Sequence, residues 1–195
     1  IKSLRRKPFI EKFFGEPVIN QQSTEFEINT SLLSSFVVNT LVPIVGFSPF
    51  PINELLLMSA ALCRLQPKYV VEWGTNIGKS ARIFYETSKE FKLGIKIHSI
   101  DLPDDIYHNE HPGNKRGAYV KNLKEVELHL GDGLDTAMQL ASTIDNNVHL
   151  LFFLDGDHSY KSVYRELTGI ANHFPSASIL VHDTFYQSPD SKYNI

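Results

Sequence analysis

The stretch Val70-Val-Glu-Trp-Gly-Thr-Asn-Ile-Gly-Lys-Ser80 decides the fold. An apolar run closes on Glu72 and Trp73, glycines follow at 74 and 78, and a helix-like pattern then begins. Strand, tight turn and helix in that order open a βαβ unit. Gly74 and Gly78 let the backbone turn sharply and approach a ligand, and free N–H groups at a helix start favour a carboxylate or phosphate. The spacing is Gly-x-x-x-Gly. It matches neither the dinucleotide pattern Gly-x-Gly-x-x-Gly nor the phosphate-gripping Gly-x-x-x-x-Gly-Lys-Ser/Thr. Taken alone, the turn suits a nucleotide-bearing ligand, and it equally suits a plain connection with none.

Downstream, strand-like and helix-like segments alternate at short intervals, the pattern of a parallel sheet with crossover helices. The strands are expected at Tyr69–Trp73, Lys96–Asp101, Glu125–Leu130, Val148–Asp155 and Ser178–Asp183, with helices at Gly78–Phe91, Gly133–Ile144 and Tyr160–Phe174. The fourth strand, VHLLFFLD, is nearly all apolar, so it belongs at the sheet centre with both faces covered. The expected fold is α/β, a Rossmann-like open, mainly parallel sheet with helices on both faces. Glu72, Asp101, Asp155 and Asp183 stand at or next to strand ends, and in such sheets ligands bind at the carboxyl edge, so these acids should converge.

Upstream, residues 1–51 read as an arm with one helix, around Ser31 to Leu41, suited to packing or to an oligomer contact. The segment from Gly46 to Pro51 breaks that helix. Asn53 is the expected cap of a helix running to about Leu65, before Pro67. Residues 52–195 then form the Rossmann-like domain. The 195 residues and 42% apolar content are enough for a core that holds a small-molecule cleft. A formal net charge of −3 provides no field for a nucleic-acid backbone. Cys63 is the only cysteine, so no intrachain disulfide forms, and a cytoplasmic setting is expected. No apolar run approaches the ~20 residues of a membrane span.

The ordered set VVEWGTNIGKS, IHSIDLPDD, LHLGDGLD, LFFLDGDHSY and ILVHDTF resembles the class I S-adenosylmethionine-dependent methyltransferases. It is most similar to small-molecule O-methyltransferases of the macrocin-methyltransferase and cephalosporin-hydroxylase-like type, over about Gln66 to Phe185. The resemblance implies S-adenosylmethionine as cofactor. The methionine part would be held by the turn of Glu72, Gly74, Thr75, Asn76, Gly78 and Ser80. Asp101, 23 residues after Gly78, would take the ribose, Asp132 or Gly133 the adenine, and Asp155 would flank the cofactor. Asp132 can equally cap the next helix.

Methyl transfer to a hydroxyl is an in-line displacement that needs a base or a metal to lower the hydroxyl's pKa. Related metal-dependent O-methyltransferases carry an Asp after the fourth strand, a Lys three residues on, and Asp-Asn after the fifth. Here Asp155 and Asp183 match the carboxylates and would suit Mg²⁺. His158 stands in place of the Lys, and Thr184 in place of the Asn. The expected roles are His158 and Asp155 in catalysis, with Asp155, Asp183 and Thr184 as metal ligands. Asp157 and Ser159 can serve simply as helix caps, and His182 reads equally well as a core histidine, so it is left outside the candidate site. The long polar loop from Leu102 to Gly117 offers Tyr107, His108, His111, Lys115 and Arg116 as acceptor contacts.

The family sheet continues past its fifth strand into an antiparallel pair, and these terminal strands are absent from this sequence. A shortened reading frame is one expectation, and a homo-oligomer through the arm or the last strand is another. The expected activity is methyl transfer to a small-molecule hydroxyl, of sugar or natural-product type. Two rivals remain at this point, an NAD-dependent oxidoreductase and a catalytically inactive nucleotide-binding or assembly module.

Overall fold

The structure, a computed structural model, describes residues 30–108, 111–141, 143–144 and 148–184. The first 29 residues of the expected arm, and everything from Phe185 on, lie outside the described residues. So do positions 109–110 of the long loop and several positions between residues 142 and 147.

Among the described residues, five strands form one sheet, β1 (Tyr69–Trp73), β2 (Lys96–Asp101), β3 (Val126–Leu130), β4 (Leu150–Leu154) and β5 (Ser178–Val181). Their spatial order is β3-β2-β1-β4-β5, and every neighbouring pair runs parallel. The alternation of the sequence thus becomes the expected Rossmann-like sheet. All five residues of β4 are buried, as its apolar run requires. At the other extreme β3 alternates weakly, because it is an edge strand.

Helices cover both faces. One layer, α1 (Thr30–Phe36), α2 (Val42–Val45), α3 (Ile52–Leu65) and α4 (Lys79–Glu90), shares a core with Val70, Ile97, Leu151 and Phe153. The other, α5 (Gly133–Ala141) and α6 (Tyr160–His173), closes on Val71, Trp73, Ile100, Phe152 and Leu154. The pleat therefore sends Val70 and Val71 into separate cores.

Two local expectations near the N-terminus are corrected. The first helix continues to Val45 through a π-helical stretch, Val37–Leu41, in which the Val42 N–H donates to Val37 O. This wider turn shifts the hydrogen-bond register just before Pro43, whose missing N–H would otherwise interrupt an α-helix. Gly46, at φ +75, ends it. At α3, the cap is Pro51 rather than Asn53. Its extended backbone presents a carbonyl that accepts from the N–H groups of Glu54 and Leu55. No helix among the described residues is long and apolar enough to cross a membrane.

Candidate functional site

The turn after β1 lies at the carboxyl edge of the sheet, between the ends of β2 and β4. Gly74 adopts φ +94, and a Cβ placed there would lie 1.9 Å from the Asp155 carbonyl oxygen. Glycine is therefore required by the closeness of two strand ends as well as by φ. The loop is tied down by Gly74 N–H and Thr75 N–H, which donate to Ile100 O, and by Asn76 N–H, which donates to Asp101 Oδ2 at 3.2 Å. Gly78, at φ +85, packs against Gly117 and Val120 and starts α4.

Glu72 is beneath this turn, 1% exposed. Ser99 Oγ donates to its Oε1 at 2.6 Å, and Ser99 Oγ also meets Thr75 Oγ1 at 2.7 Å. Burial pushes the Glu72 carboxyl up to about 7, against the pull of Ser99, Ser80 and the Ala81 N–H, with Asp155 adding a further upward push. Its Oε2 has no hydrogen bond of ordinary geometry. The structure thus places Glu72, Thr75 and Ser80 under the turn, where Glu72 and Thr75 support it through Ser99.

Asp101 closes β2 and is nearly buried. Its Oδ1 accepts from Leu102 N–H, and its Oδ2 accepts from Arg116 Nε at 3.0 Å. Arg116 also reaches Leu102 O, His111 and Asp104. The long loop therefore folds back onto the strand end through its arginine, while Tyr107 stays exposed. Asp132 caps α5 by accepting from Asp135 N–H, and Arg165 grips both its oxygens at 2.8 and 2.9 Å. That guanidinium, together with the Asp135 and Leu134 N–H groups, outweighs desolvation and holds Asp132 below the usual carboxylate range. Gly133 packs against the Trp73 side chain, where a Cβ would fall 2.4 Å from Cγ.

Across the crevice, four side chains meet at the ends of β4 and β5. His158 Nε2 stands 3.9 Å from Asp155 Oδ1 and 3.8 Å from Asp183 Oδ2. It is half-exposed, its side chain 41% exposed, as is Asp183 at 40%. His182, which sequence reasoning left out, occupies the middle. Its Nδ1 is 2.8 Å from Asp155 Oδ1 and 3.5 Å from Asp183 Oδ2, an ion-pair contact rather than an aligned hydrogen bond. Its Nε2 is 3.0 Å from Glu54 Oε2. Burial works against the charge, but Asp155, Asp183 and Glu54 outweigh it and raise the imidazole to about 9. Asp183 turns out of β5 at φ +52, and Thr184 beside it is exposed.

The histidine next to Asp183 in ILVHD was a usable signal, because one residue of any strand end must face the crevice. Glu54 carried none, since it lies 128 positions away in sequence. Asp157 accepts from Ser159 N–H, and Ser159 caps α6 by accepting from Ser162 N–H, which gives both residues the capping role.

Residues 71–184, more than half of the chain, match the family described as Methyltransferase domain. The chain belongs to this methyltransferase domain family. No curated protein matches it significantly. Among solved structures it is similar to apo CalS11, TDP-rhamnose 3′-O-methyltransferase, an enzyme in calicheamicin biosynthesis. That match has a TM-score of 0.53 at 19% identity, over 80% of this chain and 74% of that one, and shows a shared fold. CmcI with SAH matches at a TM-score of 0.47 and 15% identity, over 91% of this chain and 87% of that one. CmcI with Mg and SAM matches at 0.48 and 15%, over 87% and 70%. Membership of the methyltransferase domain family favours methyl transfer over the nicotinamide reading, and the matched residues run from β1 to the end of the described crevice.

Proposed function

We propose that this methyltransferase domain moves a methyl group from S-adenosylmethionine to a hydroxyl of a small molecule. The observation that carries the reading is the convergence of the glycine turn, Asp101, Asp155, His158, His182 and Asp183 on one carboxyl edge. The residues present fit the cofactor. A buried carboxylate at the end of β2 suits ribose hydroxyls, and Gly74 and Gly78 give the turn beside it the positive φ that a side chain would resist. The likeness to CalS11, a TDP-rhamnose 3′-O-methyltransferase, supports the choice of a hydroxyl acceptor.

On this reading Asp101 binds the ribose once Arg116 shares or yields Oδ2, and Asn76 N–H orients that carboxylate. The turn and Trp73 form the wall on which Gly133 packs. His158, between two carboxylates and open to solvent, accepts the proton of the acceptor hydroxyl. His182 is a positioning residue that keeps Asp155 and Asp183 apart and fixed. Asp155 and Asp183 are also the residues that would hold Mg²⁺, with Thr184 adjacent. A bound Mg²⁺ would supply Lewis-acid stabilisation of the developing alkoxide.

Titration calorimetry with S-adenosylmethionine tests the cofactor, and absence of binding by folded protein rejects the reading. His158→Ala is expected to retain cofactor affinity and lose at least about a hundredfold in turnover. Equal turnover would remove His158 as the base. Turnover insensitive to chelation and to added Mg²⁺ would leave Asp155 and Asp183 without a metal role.

A further inference from the structure

Outside the set of residues that form the crevice, the outer edge of the sheet brings together His98 of β2 with Glu127 and His129 of β3. His98 pairs in register with Glu127, and Ile100 pairs with His129. Residues paired across a parallel ladder, and residues two apart on a strand, share a face. All three side chains therefore project from one side. His98 Nδ1 is 3.1 Å from His129 Nε2 and 3.5 Å from Glu127 Oε2. Among the described residues, this is the only His/Cys/Asp/Glu triple whose ligand atoms all lie within 4.8 Å of one another.

We propose that His98, Glu127 and His129 form a binding site for a divalent transition ion of the Zn²⁺ class, independent of the crevice. In a tetrahedral site with metal–nitrogen bonds of ~2.0–2.1 Å, neighbouring ligand atoms are about 3.3 Å apart. The two measured separations bracket that value. Two imidazoles and one carboxylate suit Zn²⁺, Ni²⁺ or Cu²⁺ better than Mg²⁺ or Ca²⁺, which prefer all-oxygen sets. Three protein ligands leave a fourth position for water, on the solvent side where Glu127 is 57% exposed.

The interior half of the site is preorganised. His98 is 7% exposed, and Tyr69 stacks on its ring with centroids 5.7 Å apart. Coordination through Nδ1 places the ring proton on Nε2. That atom has no hydrogen-bond partner, so the tautomer change breaks no bond outside the triple. Burial, the largest effect, disfavours a charged His98 imidazole against the pull of Glu127. Bound metal would join the edge strand to β2. The same two strands end at Asp101 and at the Gly131–Asp132 turn, so the joint would stiffen the carboxyl edge on that side.

The experiment uses the full 195-residue chain, stripped with chelator and titrated with Zn²⁺ by calorimetry, with Co²⁺ absorption as a second readout. One equivalent is expected to bind without displacement by millimolar Mg²⁺. His129→Ala and Glu127→Gln, both away from the buried core, should each weaken Zn²⁺ binding by at least about tenfold and remove the visible bands of bound Co²⁺. The double variant His158→Ala/Asp183→Asn should leave that binding intact. No Zn²⁺ binding would mean that the two histidines only hydrogen-bond to each other, and would overturn the proposal. Binding that survives His129→Ala, or that disappears in the crevice variant, would overturn it too. None of these outcomes depends on methyl transfer, so failure of the activity reading and failure of this site are separable.

Discussion

Glu72→Gln separates the charge of a buried group from its shape. Gln retains the Oε1 acceptor for Ser99 Oγ and removes the ionisation. Burial raises the folded-state carboxyl from its ordinary 4.5 to about 7. An acid raised in this way contributes stability fully below its unfolded value, and the contribution is lost as pH rises through the folded value. At ~1.4 kcal/mol per pH unit, the full loss above pH 7 is about 3 kcal/mol, most of which falls between pH 5 and pH 8. Urea unfolding of wild type and Glu72→Gln at those two pH values measures it. The variant carries a constant cost of about 1–3 kcal/mol, because its new amide donor enters at the position of an unpartnered oxygen. That cost cancels in the difference between pH values. Wild type should lose roughly 2–3 kcal/mol more than the variant on going from pH 5 to pH 8. Parallel profiles would show that Glu72 titrates normally, and the reasoning from its burial would then be wrong.

Gly74→Ala tests the closeness of the β1 and β4 ends, with Gly94→Ala as the comparison. Both glycines have positive φ, +94 and +66, but a Cβ at Gly94 meets nothing within 4 Å. Gly94→Ala should cost about 1–2 kcal/mol from backbone strain alone. Gly74→Ala should cost at least about 3, because the Asp155 carbonyl must also move. Equal losses on urea unfolding would show that the strand ends give way freely. His182→Gln should flatten the alkaline side of the stability profile. An imidazole raised from 6.5 to about 9 stabilises fully below pH 6.5, and that contribution is lost as pH rises through about 9. Thermal melts from pH 6 to pH 9 check this, and an unchanged slope would remove His182 from the ion-pair cluster. Cys63 is buried and its thiol is pushed up to about 12 by burial, so alkylation of folded protein should track global unfolding rather than thiolate chemistry.

What was readable in the sequence was what periodicity and punctuation encode. The bounds of β1 and β2 follow the expected runs residue for residue, because apolar runs between Pro67, Gly74 and Gly94 leave little freedom. The β3 and β4 ends moved inward by one or two residues, where edge solvation and neighbouring loops rather than local preference set the pairing. The π-helical stretch at Val37–Leu41 was not readable, since it answers to Pro43 and to packing on α3 at once. In the crevice, residues at strand ends were legible, as Asp101, Asp155 and Asp183 show. Long-range partners were not. Arg165 on Asp132 and Glu54 on His182 are joined across 33 and 128 positions, and nothing in either segment announces the other.

The charges of the crevice indicate how the proposed reaction must be helped. Glu54, Asp155 and Asp183 surround a positively charged His182, an excess of negative charge at the β4–β5 end. A sulfonium is attracted to such a site, but its charge disperses as the methyl group leaves. The attraction is therefore greatest before reaction and supplies binding more than rate. The same excess opposes ionisation of an acceptor hydroxyl, by up to about 4 kcal/mol for a unit charge at 4 Å in a partly solvated site. A proton acceptor at the mouth is thus the part that the reaction cannot do without, and His158 is the half-exposed imidazole there, beside the equally exposed carboxylate of Asp183. Removing it should leave hydroxide as the substitute base. Turnover of His158→Ala should then rise about tenfold per pH unit over a range in which the wild-type rate has levelled off. Stopped assays of methyl transfer between pH 7 and pH 10, with saturating S-adenosylmethionine, measure the two slopes. If the variant's profile parallels that of wild type at a uniformly lower rate, His158 positions the site without taking the proton, and the base must be sought in Asp155 or Asp183.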